Sequence, residues 1–408
     1  MPQMPSYSRR RDSHEQPQTF FPRRGDSASE IARKIVFMVS SIVLVVVVFI
    51  LLDYYVFHYF GFFDRDSGPA APELRQVDMQ DTRTNTIQLP PAAPGEEVVE
   101  VSVLERYLKF YEANNDFVGY VTMGDEISEP VTWLEQDNDF YLNHNFDKIA
   151  VQRGMIYADG WGRYGAPSPD NRGRPDNVIL HGHNLKSEVL FHALRGFVKN
   201  DDSAFEFLKE NPLIQFDTLF EEGFYKIFAV GQINVDELRG EVYDYWRKNY
   251  FSTEDEFYQY VVEMLDRSRF HTDVDLQYGD ELITLSTCCQ DLFNPSVRIF
   301  VVARRIREGE SILVDTDKFE DLTVPNTKGR RGRDEDGWMN YMMFDAYYRS
   351  HNGYNGWRGR DRRKWDTGRI DGVDAFFTRH PSYLGFPEPP PDDTEETDTD
   401  TDTIPPGD

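Results

Sequence analysis

Cys288 closes an apolar run, Leu282-Ile283-Thr284-Leu285-Ser286-Thr287, and is followed directly by Cys289; these are the chain's two cysteines. Taken singly, a cysteine is most often a small buried hydrophobe. At the end of a rigid strand-like run, however, it occupies a place where reactive side chains meet solvent. A nucleophilic cysteine also needs a neighbour that favours the thiolate. Arg298 lies ten residues on and opens a second apolar run, Ile299 to Ala303. The intervening Gln290–Val297 carries Asn294-Pro295, so a hairpin is expected that sets Arg298 beside Cys288. A planar, permanently charged guanidinium there suits an oxyanion; read alone, it fits a surface arginine equally well. A third apolar run, Val178-Ile179-Leu180, leads into His181-Gly182-His183-Asn184. The two histidines would share a face if the strand continued, which raises zinc, but no third ligand is recognisable nearby. Cysteine, histidine and arginine at three strand ends fit acyl transfer: thiolate attack, an imidazolium acid for a leaving amine, and a cationic oxyanion donor.

These runs must be positioned by elements that the rest of the sequence encodes. Phe117–Met123, Asn177–Leu180, Phe224–Val230, Glu281–Ser286 and Arg298–Ala303 read as strands. Val101, Leu104, Leu108 and Tyr111 recur at helical spacing, and Ser203–Glu210 also reads as a helix. Thr253–Phe270 opens with Thr253 and Glu256 in capping-box spacing and carries Phe257, Tyr260, Val261, Met264 and Leu265 on one side. Strands dominate, so a mainly antiparallel β barrel or sandwich with added helices is expected rather than a doubly wound sheet.

Ahead of this region, residues 1–34 are polar and carry seven Lys/Arg against four acids. Ile35–Leu52 then runs without a charge, and mostly apolar sequence continues to Phe63. Its 18 residues span roughly 27 Å as a helix, close to a hydrocarbon core. Residues 35–63 are therefore expected to be a single transmembrane anchor, with residues 1–34 cytoplasmic and the remainder outside by the positive-inside rule. A cleaved signal peptide is the alternative, but the run is long for one and no clean cleavage site follows. Residues 64–97, rich in Pro, Ala, Asp and Gln, read as a linker.

Residues 328–369 hold 11 basic against 6 acidic side chains among many Gly, Trp and Tyr, and residues 388–408 hold nine acids and no base. The first lies in an extension, 308–387, whose sequence assigns it no role; basic residues among aromatics can bind RNA or an anionic polymer. The second reads as a solvated, disordered tail. The chain's 44 basic and 71 acidic residues give a net charge of −27, which argues against nucleic acid as a partner. Two cysteines exclude a disulfide framework and a cysteine-rich zinc site.

Thr284-Leu285-Ser286-Thr287-Cys288 resembles the TLSTC signature of class B sortases, membrane-anchored cysteine transpeptidases of Gram-positive bacteria. Arg298 with its strand and Arg304-Arg305 resembles that family's active-site arginine segment, and Gly182-His183-Asn184 resembles its GHN element. Asn115–Tyr120 and Asp137–His144 (DNDFYLNH) match as well, and the Thr253–Phe270 helix falls where class B members carry an extra one. The resemblance covers roughly residues 98–307. It implies an eight-stranded sortase-like β-barrel with Cys288 as nucleophile, His183, not His181, as acid/base, and Arg298 at the oxyanion. Ser286, Thr287 and Asn184 become candidates for substrate contact.

The resemblance also implies a reaction without metal or organic cofactor: cleavage of a C-terminal sorting motif in a secreted protein, a thioester intermediate, and transfer to an amine of peptidoglycan or of a pilin lysine. A wall-binding scaffold without activity is the non-enzymatic alternative. A papain-like peptidase is disfavoured because cysteine would precede histidine. The sequence departs from the family at Cys289, where an acid is common, in the Gly/Pro/Arg-rich insertion from Ala158 to Asn177, and after Arg307.

Overall fold

The computed structural model describes residues 21–52, 77–89, 99–167, 172–185, 190–199, 202–239, 242–289, 296–321 and 370–381. They fall in two units, one ending at Arg65 and one beginning at Asp66. The first contains helix α1 (Ala28–Leu52). Its start is a reciprocal cap: the Glu30 amide donates to Ser27 Oγ at 3.3 Å and the Ser27 amide to Glu30 Oε2 at 2.9 Å. An 18-residue window within Ala28–Leu51 has mean hydropathy 2.9 and none of it is buried, so the helix is long and apolar enough to cross a membrane. Positions 53–63 of the expected anchor lie outside the described residues.

The second unit contains β1 (Thr84–Leu89), β2 (Val99–Leu104), α2 (Glu105–Ala113), β3 (Phe117–Met123), β4 (Ile127–Thr132), β5 (Ile156–Ala158) and β6 (Asn177–His181). After these come α3 (Ser203–Glu210), β7 (Leu213–Thr218), β8 (Phe224–Asn234), α4 (Glu254–Asp266), β9 (Phe270–His271), β10 (Leu282–Cys288), β11 (Val297–Arg305), β12 (Glu320–Asp321) and α5 (Val373–Arg379). Eight strands close into a barrel in the order β10-β11-β8-β7-β3-β4-β5-β6. The expected eight-stranded barrel with added helices is therefore the fold, and closure leaves it no free edge.

The strands that carry the chemistry hold long apolar runs because both of their faces are largely buried. Along β11, Ile299, Val301 and Ala303 enter the inner core, while Phe300 and Val302 join an outer cluster under α4. Helix α4 supplies Phe257, Tyr260, Val261, Met264 and Leu265 to that cluster, as their spacing predicts. Its cap is also as expected, with the Glu256 amide donating to Thr253 Oγ1 at 3.2 Å. The helix stops at Asp266, so Phe270 belongs to a strand instead. On another side α2 lays Tyr107 and Phe110 over Phe117 and Tyr120. Arg106 and Tyr107 both donate to buried Asp217, at 2.8 Å and 2.7 Å.

Four expectations are corrected. Val101 and Leu104 are in a strand, not a helix: Val99–Leu104 pairs antiparallel with Thr84–Leu89, and the helix begins at Glu105. The alternating Val99, Val101 and Val103 suit a pleated strand better than a helix. The linker assigned to 64–97 consequently contains a paired strand, β1. The sequence pattern does not announce strands β4, β5 and β7: β4 contains Glu129 and Pro130, and β5 has three residues.

The fourth correction concerns the C-terminal extension, which does not leave the barrel at residue 307. Phe319 packs in the inner core and Glu320–Asp321 pairs with β9. Further on, the chain returns: Ile370 bridges to Leu276, and Val373, Phe376 and Phe377 join the outer cluster with α4. Tyr258 donates to the Asp371 carbonyl, and Arg379 and His380 reach Asp255. The turn requires glycine at 372, where φ is +84° and a Cβ would sit 2.4 Å from the Tyr258 hydroxyl oxygen. The basic stretch 328–369 and the acidic tail 388–408 lie outside the described residues.

Candidate active site

Cys288 is the last residue of β10 and Arg298 the second of β11, and the two are direct cross-strand partners. The expected hairpin is therefore present, and cross-strand partners hold their Cα atoms about 5 Å apart. On its other side β10 runs parallel to β6, with Ser286 level with His181. Two residues further along both chains are Cys288 and His183. All three side chains open into one cleft of about 420 Å³. The sheet thus brings together residues that are up to 115 positions apart (298 − 183).

The histidine is held in place by backbone. His183 Nε2 donates to the Leu142 carbonyl at 2.8 Å, which keeps a proton on Nε2 and makes Nδ1 the atom that gains and loses one. Leu142 belongs to the DNDFYLNH stretch, and a single 3₁₀ turn, Phe140–Leu142, presents its carbonyl. The backbone around the cysteine is tied to the same loop: Asn184 Nδ2 donates to the Cys288 carbonyl at 2.8 Å and Thr287 Oγ1 to the Gly182 carbonyl at 2.7 Å.

Of the expected substrate contacts, Ser286 and Thr287 line the cleft, but each hydroxyl already has a protein partner. Ser286 Oγ lies 2.6 Å from the Tyr245 hydroxyl. Asn184 is only 2% exposed, so it acts on the geometry of Cys288. Neither cysteine is in a disulfide. Cys289 packs against the inner core and accepts from Gln232 Nε2 at 2.8 Å; the alternation of a strand turns it away from the cleft.

His181 is also a cleft residue, with its Nε2 3.0 Å from Asp159 Oδ2. Spacing gave no warning of Asp159, the residue after β5, which sits directly beside the histidine strand, nor of the cleft residues Asp139, Tyr157, Tyr245 and Trp246. Burial pushes the Tyr245 hydroxyl up to about 12, and burial with Asp139 and Asp159 nearby raises Tyr157 as well. Both phenols are neutral donors at physiological pH. Among the described residues no group of three or more His, Cys, Asp and Glu is arranged to hold a metal.

No family model matches the chain. Among curated proteins, Sortase B of Listeria monocytogenes is 29% identical over 176 residues, 43% of this chain and 63% of that protein. Sortase B of Staphylococcus aureus is 25% identical over 195 residues, 48% of this chain and 72% of that protein. The match thus spans less than two thirds of the Listeria relative. Among solved structures, Clostridium perfringens sortase B is 28% identical with a TM-score of 0.40, covering 49% of this chain and 99% of that one. A Staphylococcus aureus sortase B–substrate complex is 24% identical with a TM-score of 0.42, covering 50% and 87%.

Proposed function

From the homology of this chain to class B sortases over nearly half its length, we propose that it is a membrane-anchored cysteine transpeptidase. Cys288 thiolate attacks the carbonyl of a Thr–Gly or Thr–Asn bond in the C-terminal sorting motif of a secreted protein. Arg298 stabilises the oxyanion from a position that the strand pair fixes in advance, so little reorganisation is needed as charge develops. His183 gives its proton to the leaving amine, and a Cys288 thioester remains. An acceptor amine, from peptidoglycan or from a pilin lysine, then attacks the thioester and restores the thiol. The thioester conserves the energy of the cleaved peptide bond, so the exchange needs no external energy source.

The observation that carries this reading is the register: Cys288 faces Arg298 across one strand pair and His183 follows the end of the other neighbouring strand. The composition of α1, with basic residues before it, supports an anchor with a cytoplasmic N-terminus and an external barrel. The test is incubation of the full chain, in detergent, with a library of five-residue peptides containing Thr–Gly or Thr–Asn and a panel of amines. Mass spectrometry should find an acyl adduct on Cys288 and amide products. The amine that is taken up distinguishes wall anchoring from pilin assembly. No adduct with any peptide, or an adduct on Cys289, would sink the proposal.

A further inference from the structure

The proposed reaction leaves one proton without a destination. An acceptor amine arrives in water as an ammonium and ends as an amide N–H, so it sheds two protons. In the first half-reaction His183 gives its proton to the departing amine and becomes neutral. It can therefore take one proton from the attacking nitrogen, which regenerates the starting imidazolium as the thiolate of Cys288 departs. The other proton must go elsewhere.

We propose that His181, held by Asp159, is the base that removes the first proton from the acceptor ammonium; this rests on the transpeptidase reading above. His181 ends β6 and lines the same cleft as Cys288, His183 and Arg298. Its side chain is 20% exposed, whereas Asp159 is 2% exposed. Asp159 is itself fixed, because its Oδ1 accepts the Trp161 amide at 2.9 Å while its Oδ2 takes Nε2 of His181. A buried carboxylate on one imidazole nitrogen orients the ring and fixes which nitrogen is left to meet a ligand.

The groups facing His181 divide the cleft into two sides. Asp139 and Asp159 supply negative charge, and the Tyr157 ring lies 5.5 Å from the imidazole. Cys288 and Arg298 lie on β10 and β11, on the side of β6 away from β5, and His183 follows His181 by two residues. The acidic side suits an incoming cation and the Arg298 side a developing oxyanion. The step balances: the ammonium N–H bond breaks, the proton passes to His181 and from there to water, and the free amine attacks the thioester. As the C–N bond forms and the C–S bond breaks, its second proton passes to His183.

The test uses the full chain in detergent, a peptide identified by the library, and two acceptors. Diglycine is an ammonium at neutral pH; hydroxylamine is largely unprotonated there and needs no base. The measured quantity is the ratio of aminolysis to hydrolysis of the acyl-enzyme. His181→Gln should lower this ratio up to about tenfold for diglycine at pH 7, where about a tenth of its amine is already free, but leave it unmoved for hydroxylamine. Raising the pH until diglycine is a free amine should restore it. Asp159→Asn should act in the same direction with a smaller loss. Equal losses for both amines, or no loss with diglycine in either variant, would overturn the assignment. A wild-type chain that yields no acyl-enzyme overturns the transpeptidase reading itself, and this inference with it.

Discussion

Cys288 and Cys289 are neighbours in sequence, yet one opens into the cleft and the other packs on the barrel's inner core beside Gln232. Cys288→Ala should abolish acyl-enzyme formation and Cys289→Ala should retain most of it, read by mass of the adduct; the reverse pattern would move the nucleophile. His183→Ala and Arg298→Ala should each lower turnover by two or more orders of magnitude. Asn184 does not touch the scissile bond in this reading. It fixes the Cys288 carbonyl from a buried position, so Asn184→Ala leaves a buried group unsatisfied. The cost should be about 1–3 kcal/mol of stability, with a lower kcat and a nearly constant KM for the peptide.

At the level of elements, two devices hold the barrel's outer face. Thr253 caps α4, and replacing it with alanine should lower stability by about 1 kcal/mol in urea denaturation. Helix α5 is the second, clipped over α4 by Val373, Phe376 and Phe377 and by the Arg379–Asp255 pair. Exposed ion pairs contribute little, so the apolar contacts decide whether α5 stays docked. Phe376→Ala should cost about 3 kcal/mol or release α5 locally, and hydrogen exchange at the α4 amides would register either result. Unchanged protection would show that α5 contributes nothing to that face.

The whole molecule carries a net charge of −27, but nine of its acids lie in the last 21 positions, so the figure overstates the acidity of the barrel. Within the barrel, charges are paired across distant elements. Arg304, fully buried, binds Glu310, and Lys226 binds the same carboxylate at 2.7 Å. The Arg304 guanidinium, helped by Lys226, holds the Glu310 carboxyl well below its usual value of 4.5. A depressed carboxylate stabilises the fold above its unfolded value, and that stability is lost as pH falls below about 4.5 toward the folded value. Glu310→Gln should therefore be less stable than wild type at pH 7, and the gap should narrow as the medium is acidified below pH 4.5. A gap independent of pH would rule out this pairing as a source of acid sensitivity.

The local features were fixed by the sequence itself. Continuous apolar runs announced β6, β8, β10 and β11, because strands buried on both faces carry no polar alternation. Capping residues announced α4. The ten-residue offset between Cys288 and Arg298 made their pairing across a hairpin legible, since a hairpin's register follows from spacing. Three things required tertiary structure. Strand β6 joins β10 in parallel across 105 residues (282 − 177), a pairing that no local signal encodes, and only this pairing brings His183 to Cys288. The bond from His181 to Asp159 and the Leu142 carbonyl on His183 arise from loops that the closed barrel gathers at one rim. The return of α5 onto α4 is likewise a long-range burial of apolar surface, written in Val373, Phe376 and Phe377 but readable only beside the face that they cover.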